Sequence, residues 1–132
     1  MSTTATWGYI KSAIGNGINA YNAWNMVLDK NGLGIDDARL WAQNTLIVAD
    51  SDNLTMTPAY YVYRHVSQFV DPGAKVIGVN SGADAVAFKN PDGSLVAVVH
   101  SGSANSSYVV ALGGKKFQFS MPNGWATLKY TP

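Results

Sequence analysis

The 132-residue sequence contains no cysteine, which removes disulfides, zinc–thiolate centres and thiol nucleophiles from consideration. It also contains no glutamate: all eight acidic residues are aspartates, so a mechanism built on glutamate cannot run on these residues alone. Charged residues make up 13% of the chain, about half of the usual ~25%. With 47% hydrophobic residues, the chain is not a charge-driven disordered segment. A net charge of +1 leaves no basic surplus for a nucleic-acid partner. No run approaches the ~20 apolar residues of a membrane-spanning helix, and the opening Met-Ser-Thr-Thr-Ala-Thr lacks the basic start of a signal peptide. The residues leave the compartment open.

What is present divides into two patterns. Trp7, Ile10 and Ile14 mark one stripe of an amphipathic helix, and Gly15-Asn16-Gly17 is suited to end it. From Ile18 to Leu28 the apolar residues recur near period 2, predicting a strand apolar on both faces, as in a helix-covered parallel sheet. Asp29 to Ala38 reads as a loop in which Asp36-Asp37 caps a short helical turn. Thr45–Ala49 and Leu54–Thr57 predict a strand pair around the turn Asp50-Ser51-Asp52-Asn53. Pro58 opens a second helix, with Tyr60, Tyr61, Tyr63, Val66, Phe69 and Val70 as its packing stripe.

Beyond Lys75 the pattern is that of strands alone. Asp84–Phe88 and Ser94–Val99 flank Asn90-Pro91-Asp92-Gly93, a hairpin with a type I turn and Gly at the bulge position. Tyr108–Leu112, Phe117–Ser120 and Trp125–Tyr130 follow, and strands at this spacing predict an antiparallel sandwich. The fold class expected is mainly β with α. Residues 1–70 form a helix–strand–helix segment, and residues 71–132, joined by 45–57, form the β-sandwich.

Several chemical motifs fail on inspection. His65 and His100 have no metal-ligand spacing and read as a helix-surface residue and a strand-end polar residue. A serine triad can be drawn from eleven serines, but no Gly-x-Ser-x-Gly elbow exists. Asp50–Asn53 lacks the glycine and terminal glutamate of a calcium loop. Adjacent Asp36 and Asp37 do not converge on one point. Asn53-Leu-Thr55 and Asn105-Ser-Ser107 are glycosylation sequons that matter only in a eukaryotic secretory pathway. No metal and no cofactor is expected.

Four runs in order carry a resemblance: Gly17–Asp29, Trp41-Ala-Gln-Asn44, Tyr60–Phe69 with Pro72-Gly73-Ala74-Lys75, and Asp84–Phe88 with Pro91-Asp92-Gly93. Together they resemble the C-terminal part of glycoside hydrolase family 30, the glucosylceramidase-like and endo-β-1,6-glucanase-like enzymes. The resemblance implies the last strand and helix of a (β/α)8 barrel, followed by a side β-sandwich. It also implies a retaining β-glycosidase chemistry with two carboxylic acids about 5 Å apart. In the family both are glutamates on the fourth and seventh barrel strands, expected upstream of Met1, and the absence of Glu agrees.

The resemblance therefore assigns no catalytic residue to these positions. It implies substrate-binding roles for Trp24 at the mouth of the last barrel strand and for Asn44 near the same pocket, with Trp41 and Asn25 beside them. An indole face covers the C–H face of a pyranose, and a side-chain amide orients a hydroxyl. The expected ligand is a β-glucoside or glucan. The functional expectation is a chain without activity of its own, with a Trp-based carbohydrate-binding module and half of a split glycosidase as alternatives. Family members are often secreted or lysosomal. Because Ile18, Tyr21, Trp24, Met26, Val27 and Leu28 would be costly to leave in water, a homo-oligomer or a complementary barrel chain is expected to cover them.

Overall fold

A computed structural model describes residues 3–34, 40–102 and 107–132. The Asp36-Asp37 cap and the Asn105 sequon lie outside the described residues. The chain forms two compact units, 1–64 and 65–132.

The first unit opens with helix α1 (Thr3–Gly15), which buries Thr6, Trp7, Ile10 and Ala13. These buried positions, at i, i+1, i+4 and i+7, lie along one helical face. Its end is a Schellman motif: the Ile18 N–H donates to Ala13 O at 3.1 Å and the Gly17 N–H to Ile14 O at 3.0 Å. This closure needs a left-handed residue at position 17, and Gly17 sits at φ 78° without a Cβ penalty. Strand β1 (Val27–Asp29) pairs in parallel with β2 (Ile47–Asp50), and β2 pairs antiparallel with β3 (Asn53–Met56). The β2–β3 turn holds Ser51 at φ 54°.

Two expectations need correction here. Residues 18–26 are not a strand; only Val27–Asp29 is. Parallel pairing with β2 is present, but among the described residues no second ladder partner flanks β1, and periodicity without partners does not make a strand. The 45–57 hairpin, expected with the sandwich, hydrogen-bonds to β1 in the first unit instead. Adjacency along the chain favours this pairing over one with later strands.

Helix α2 (Pro58–Ser67) follows, and the division between the units falls within it, after Arg64 rather than after residue 70. Its buried face carries Ala59 and Val62, with Tyr63 and Val66 half-buried, whereas Tyr61 is exposed. Of the expected stripe, Tyr60, Tyr63, Val66, Phe69 and Val70 are half-buried and only Tyr61 is exposed. The helix is too short to cross a membrane, and no described helix is long and apolar enough to do so.

The second unit is a sandwich of two sheets. Strands β4 (Lys75–Ile77), β5 (Ala85–Lys89), β6 (Leu95–His100) and β9 (Trp125–Tyr130) form an antiparallel sheet of order β4-β5-β6-β9. Strands β7 (Ser107–Leu112) and β8 (Lys115–Ser120) form a two-stranded sheet. Between them Ala87, Ala97 and Leu112 are buried, with Ile77, Leu95, Val110, Phe117, Leu128 and Tyr130 packed around them. Val86, Phe88, Val96 and Val98 are buried on the other face of the larger sheet.

The β5–β6 hairpin has the expected turn, with the Gly93 N–H donating to Asn90 O at 3.0 Å and Gly93 at φ 87°. The buried Asn90 side chain accepts from the Asp71 N–H and donates to Phe69 O and Ser94 Oγ. Every buried polar group in this turn is therefore paired. Both histidines belong to this unit. His65 Nδ1 lies 2.9 Å from Thr127 Oγ1, and that hydroxyl donates to His65 O. His100 Nδ1 sits 2.6 Å from Asp84 Oδ2. The His65 ring stacks on Trp125, and the His100 ring meets the same indole at a tilt. His65 is therefore half-buried and not a plain surface residue; among the described residues no group of three or more ligating side chains gathers around a point.

Candidate functional site

A cleft of about 480 Å³ opens within the first unit. Its walls combine the irregular segment before β1, the segment before β2 and the inner faces of both helices. Trp24, Asn25, Gln43, Asn44, Tyr21 and Tyr63 bring the aromatic and amide groups to it. Such a lining suits a ligand with alternating apolar faces and hydroxyl edges.

The chain brings these side chains together through backbone pairing that extends the β1–β2 ladder. The Asn25 N–H donates to Asn44 O at 3.1 Å, and the Leu46 N–H returns to Asn25 O at 3.1 Å. On the far side of the loop, the Gln43 N–H donates to Gly32 O at 2.9 Å. Gly32 is at φ +75°, and a Cβ there would stand 2.6 Å from Gln43 O, so only glycine allows this approach.

The four sequence-predicted residues fare differently. Trp24 is 70% exposed, lines the cleft and donates from Nε1 to Gln43 Oε1 at 2.8 Å. Asn25, half-buried, donates from Nδ2 to the same oxygen at 3.2 Å. Asn44 lines the cleft and is exposed. Trp41 is also exposed but does not line this cleft.

Two further contributors were passed over by sequence reasoning. Gln43 stands within the Trp41-Ala-Gln-Asn44 run, beside Asn44. Tyr63 was read as a packing residue of α2. Its ring lies 5.9 Å from that of Tyr21, across the cleft wall. Burial first, and then a hydrogen bond to Tyr21 and its charge, push the Tyr63 phenol up to about 12. Tyr63 is thus a neutral phenol at physiological pH, able to donate or accept but not to act as a base.

The acidic content of the cleft decides what it can do. Among the described lining residues, Asp29 is the single carboxylate. Its Oδ1 already accepts from the Asn31 and Leu33 N–H groups, both at 2.8 Å, which closes the turn after β1. A retaining hydrolysis needs two carboxyl groups, one protonated and one nucleophilic. The described lining thus combines aromatic rings and carboxamides with one carboxylate that is engaged in a turn.

Comparison with known proteins agrees with this reading of the fold. Residues 73–128 match the glycosyl hydrolase family 30 beta sandwich domain. The chain is 30% identical over 105 residues to "Putative glucosylceramidase 4" of Caenorhabditis elegans, covering 75% of this chain and 20% of that protein. Among solved structures it is similar to SrfJ from Salmonella typhimurium, with a TM-score of 0.73 and 27% identity over 99% of this chain and 32% of the other. It shares its fold with the endo-beta1,6-glucanase BT3312 at a TM-score of 0.79 and 20% identity, covering 95% of this chain and 29% of that one. The chain spans about a fifth of the curated relative and about a third of the solved structures. Residues 73–128 are thus a β-sandwich domain of glycosyl hydrolase family 30, and the chain as a whole resembles the C-terminal part of that family's members.

Proposed function

We propose that the first unit supplies one wall of a saccharide subsite of the β-glucoside or β-1,6-glucan class, and that these residues do not cleave glycosidic bonds by themselves. Residues 1–70 then correspond to the last repeat of the family's barrel, beside the sandwich. The observation that carries the proposal is the convergence of exposed Trp24 with Asn25 and Asn44 on one cleft whose sole described carboxylate is engaged in a turn. Glutamate, the residue the family uses for both catalytic roles, is absent from the sequence.

The test is a pair of measurements on the purified chain. Aryl β-glucosides and β-1,6-glucan are expected to show no turnover above buffer. Tryptophan fluorescence titrated with β-1,6-linked glucose oligosaccharides is expected to shift saturably, and Trp24→Ala to abolish the shift. Hydrolysis that one substitution removes would overturn the first half, and a flat wild-type titration the second.

A second reading, that the chain works in an assembly, is favoured by the apolar residues left open on the first sheet. Val27 is 45% exposed, Leu54 62% and Met56 40%, and the β1–β2–β3 register puts all three on one face. The expected homo-oligomer would cover this face by pairing two copies. Light scattering at micromolar concentration is then expected to give twice the 14.1 kDa mass, and a strict monomer rejects self-pairing. Recovery of hydrolysis on mixing with a separate chain that carries the rest of a barrel would support a complementary partner instead.

A further inference from the structure

The hydrogen bonds around Gln43 define more than a structural tie. Indole Nε1–H is a donor only, so the side-chain atom of Gln43 that lies 2.8 Å from it must be the carbonyl oxygen. The same oxygen accepts from Asn25 Nδ2 at 3.2 Å. Both lone-pair directions of Oε1 are therefore used, and the orientation of the carboxamide is set. Its Nε2 carries two N–H donors and has no hydrogen-bond acceptor among the described residues. Gln43 lines the same cleft as Trp24 and Asn44.

The backbone beneath this amide is held from two directions. Gln43 N–H bonds to Gly32 O, and its neighbour Asn44 accepts from the Asn25 N–H. The Gly32 contact leaves no room for a Cβ, so the two backbone segments lie directly against each other. An indole that is ordered before binding loses less entropy when a ligand stacks on it. Here its edge is tied to a carboxamide that the backbone has already positioned.

We infer that Gln43 is a positioning and specificity residue of the cleft: it locks the plane of the Trp24 indole and offers its Nε2 donors to an acceptor oxygen of a pyranoside stacked on that indole. The inference rests on the saccharide reading above for its ligand, while the locking of Trp24 stands without it. Its chemistry predicts a preference for pyranosides that carry a hydroxyl or ring oxygen at the edge of the stacked face. A site built to donate to such an oxygen rejects an analogue that lacks it.

Two substitutions separate the two roles. Gln43→Glu keeps an acceptor for Trp24 and Asn25 but deletes the donors. Gln43→Leu removes both. The readouts are the ¹⁵N-indole resonance of Trp24, assigned through Trp24→Phe, and the affinity for a β-1,6-linked glucose disaccharide measured by calorimetry. Gln43→Leu is expected to move the Trp24 Nε1–H resonance and speed its hydrogen exchange, leaving the other three indole signals in place. Gln43→Glu is expected to keep the Trp24 Nε1–H protected yet weaken the disaccharide about tenfold, as the loss of one ligand hydrogen bond does.

An unmoved, equally protected Trp24 resonance in Gln43→Leu overturns the locking role. Wild-type affinity in Gln43→Glu overturns the donor role. A wild-type protein that does not bind the disaccharide overturns the saccharide reading and with it the ligand role, while the indole measurement still decides the lock. Gly32→Ala, which displaces the Gln43 backbone and its carboxamide with it, is expected to reproduce the Gln43→Leu resonance shift.

Discussion

The runs 18–28 and 95–100 both carry a dense apolar pattern, and they end in opposite environments. Val96 and Val98 have no exposed surface, whereas Trp24 and Met26 are 70% and 68% exposed. The difference lies in the backbone. Strand β6 is paired along its length on both sides, with β5 and with β9. Residues 18–26 precede a three-residue strand that is paired on one side only. Where ladders satisfy the peptide groups, side chains can stack in layers and exclude water. Where they do not, aromatic residues stay open to solvent and are tied by side-chain contacts, as Trp24 is by the Gln43 carboxamide. The second unit buries its apolar strands in paired sheets, and the first leaves aromatic and apolar side chains exposed.

The largest effect expected from this contrast is in hydrogen exchange. Amides of β5 and β6 are expected to exchange at least about a thousandfold more slowly than those of residues 18–24, because core strands open only by global unfolding. Equal protection in the two segments would break the comparison. Next in size is a cavity: Met121, with no exposed surface, should cost about 2–5 kcal/mol when changed to Ala, read from urea denaturation. Trp24→Ala sharpens the contrast from the other side. Removing that exposed indole should change stability by less than about 0.5 kcal/mol while eliminating the saccharide response. A large stability loss would show that Trp24 is a packing residue.

Smaller still are two effects of pH. Tyr63 holds its proton more tightly when folded, so the folded state binds more protons between pH 10.0 and about 12. Stability is then constant below that window and falls as pH rises through it, an effect that Tyr63→Phe should remove. In the β5–β6 turn, hydrogen bonds from the Ser94 side chain and backbone hold the Asp92 carboxyl below its ordinary 3.8. That contribution is present above 3.8 and is lost as pH falls further, so Asp92→Asn should flatten the acid limb of a thermal-melting profile. The carboxylate is exposed, and the change should be slight.

Much of the second unit was legible in the sequence because its signals are local. Asn90-Pro91-Asp92-Gly93 between two apolar runs specifies a hairpin through turn chemistry confined to four residues. The later strands were bounded by glycine pairs and by Pro122-Asn123-Gly124 in the same way. The first unit was less legible. Its period-2 pattern over 18–28 states which residues alternate but not whether a neighbouring strand exists to receive them. The 45–57 hairpin was recognised as a hairpin, yet the sheet it joins depends on which edge lies within reach. At the cleft, Trp24, Asn25 and Asn44 were found through a resemblance, while Gln43 was passed over because a glutamine in a loop has no distinctive signature until its partners are known.

The sequence by itself determined the chemistry that is absent and the elements that are local. Without glutamate or cysteine, no fold of these residues can place a glutamate pair or a thiol, and composition alone settles that. Helix α1 and its Gly17 cap, helix α2 and the β5–β6 turn follow from residues within a few positions of one another. Only the tertiary structure decided that Trp24 and Gln43, nineteen positions apart, share one hydrogen bond. Only it decided that residues 18–26 stay outside the sheet. The physical reason is the range of the interactions: caps and turns are closed by neighbours along the chain, whereas ladder pairing and side-chain clamps depend on which distant segment the fold brings into reach.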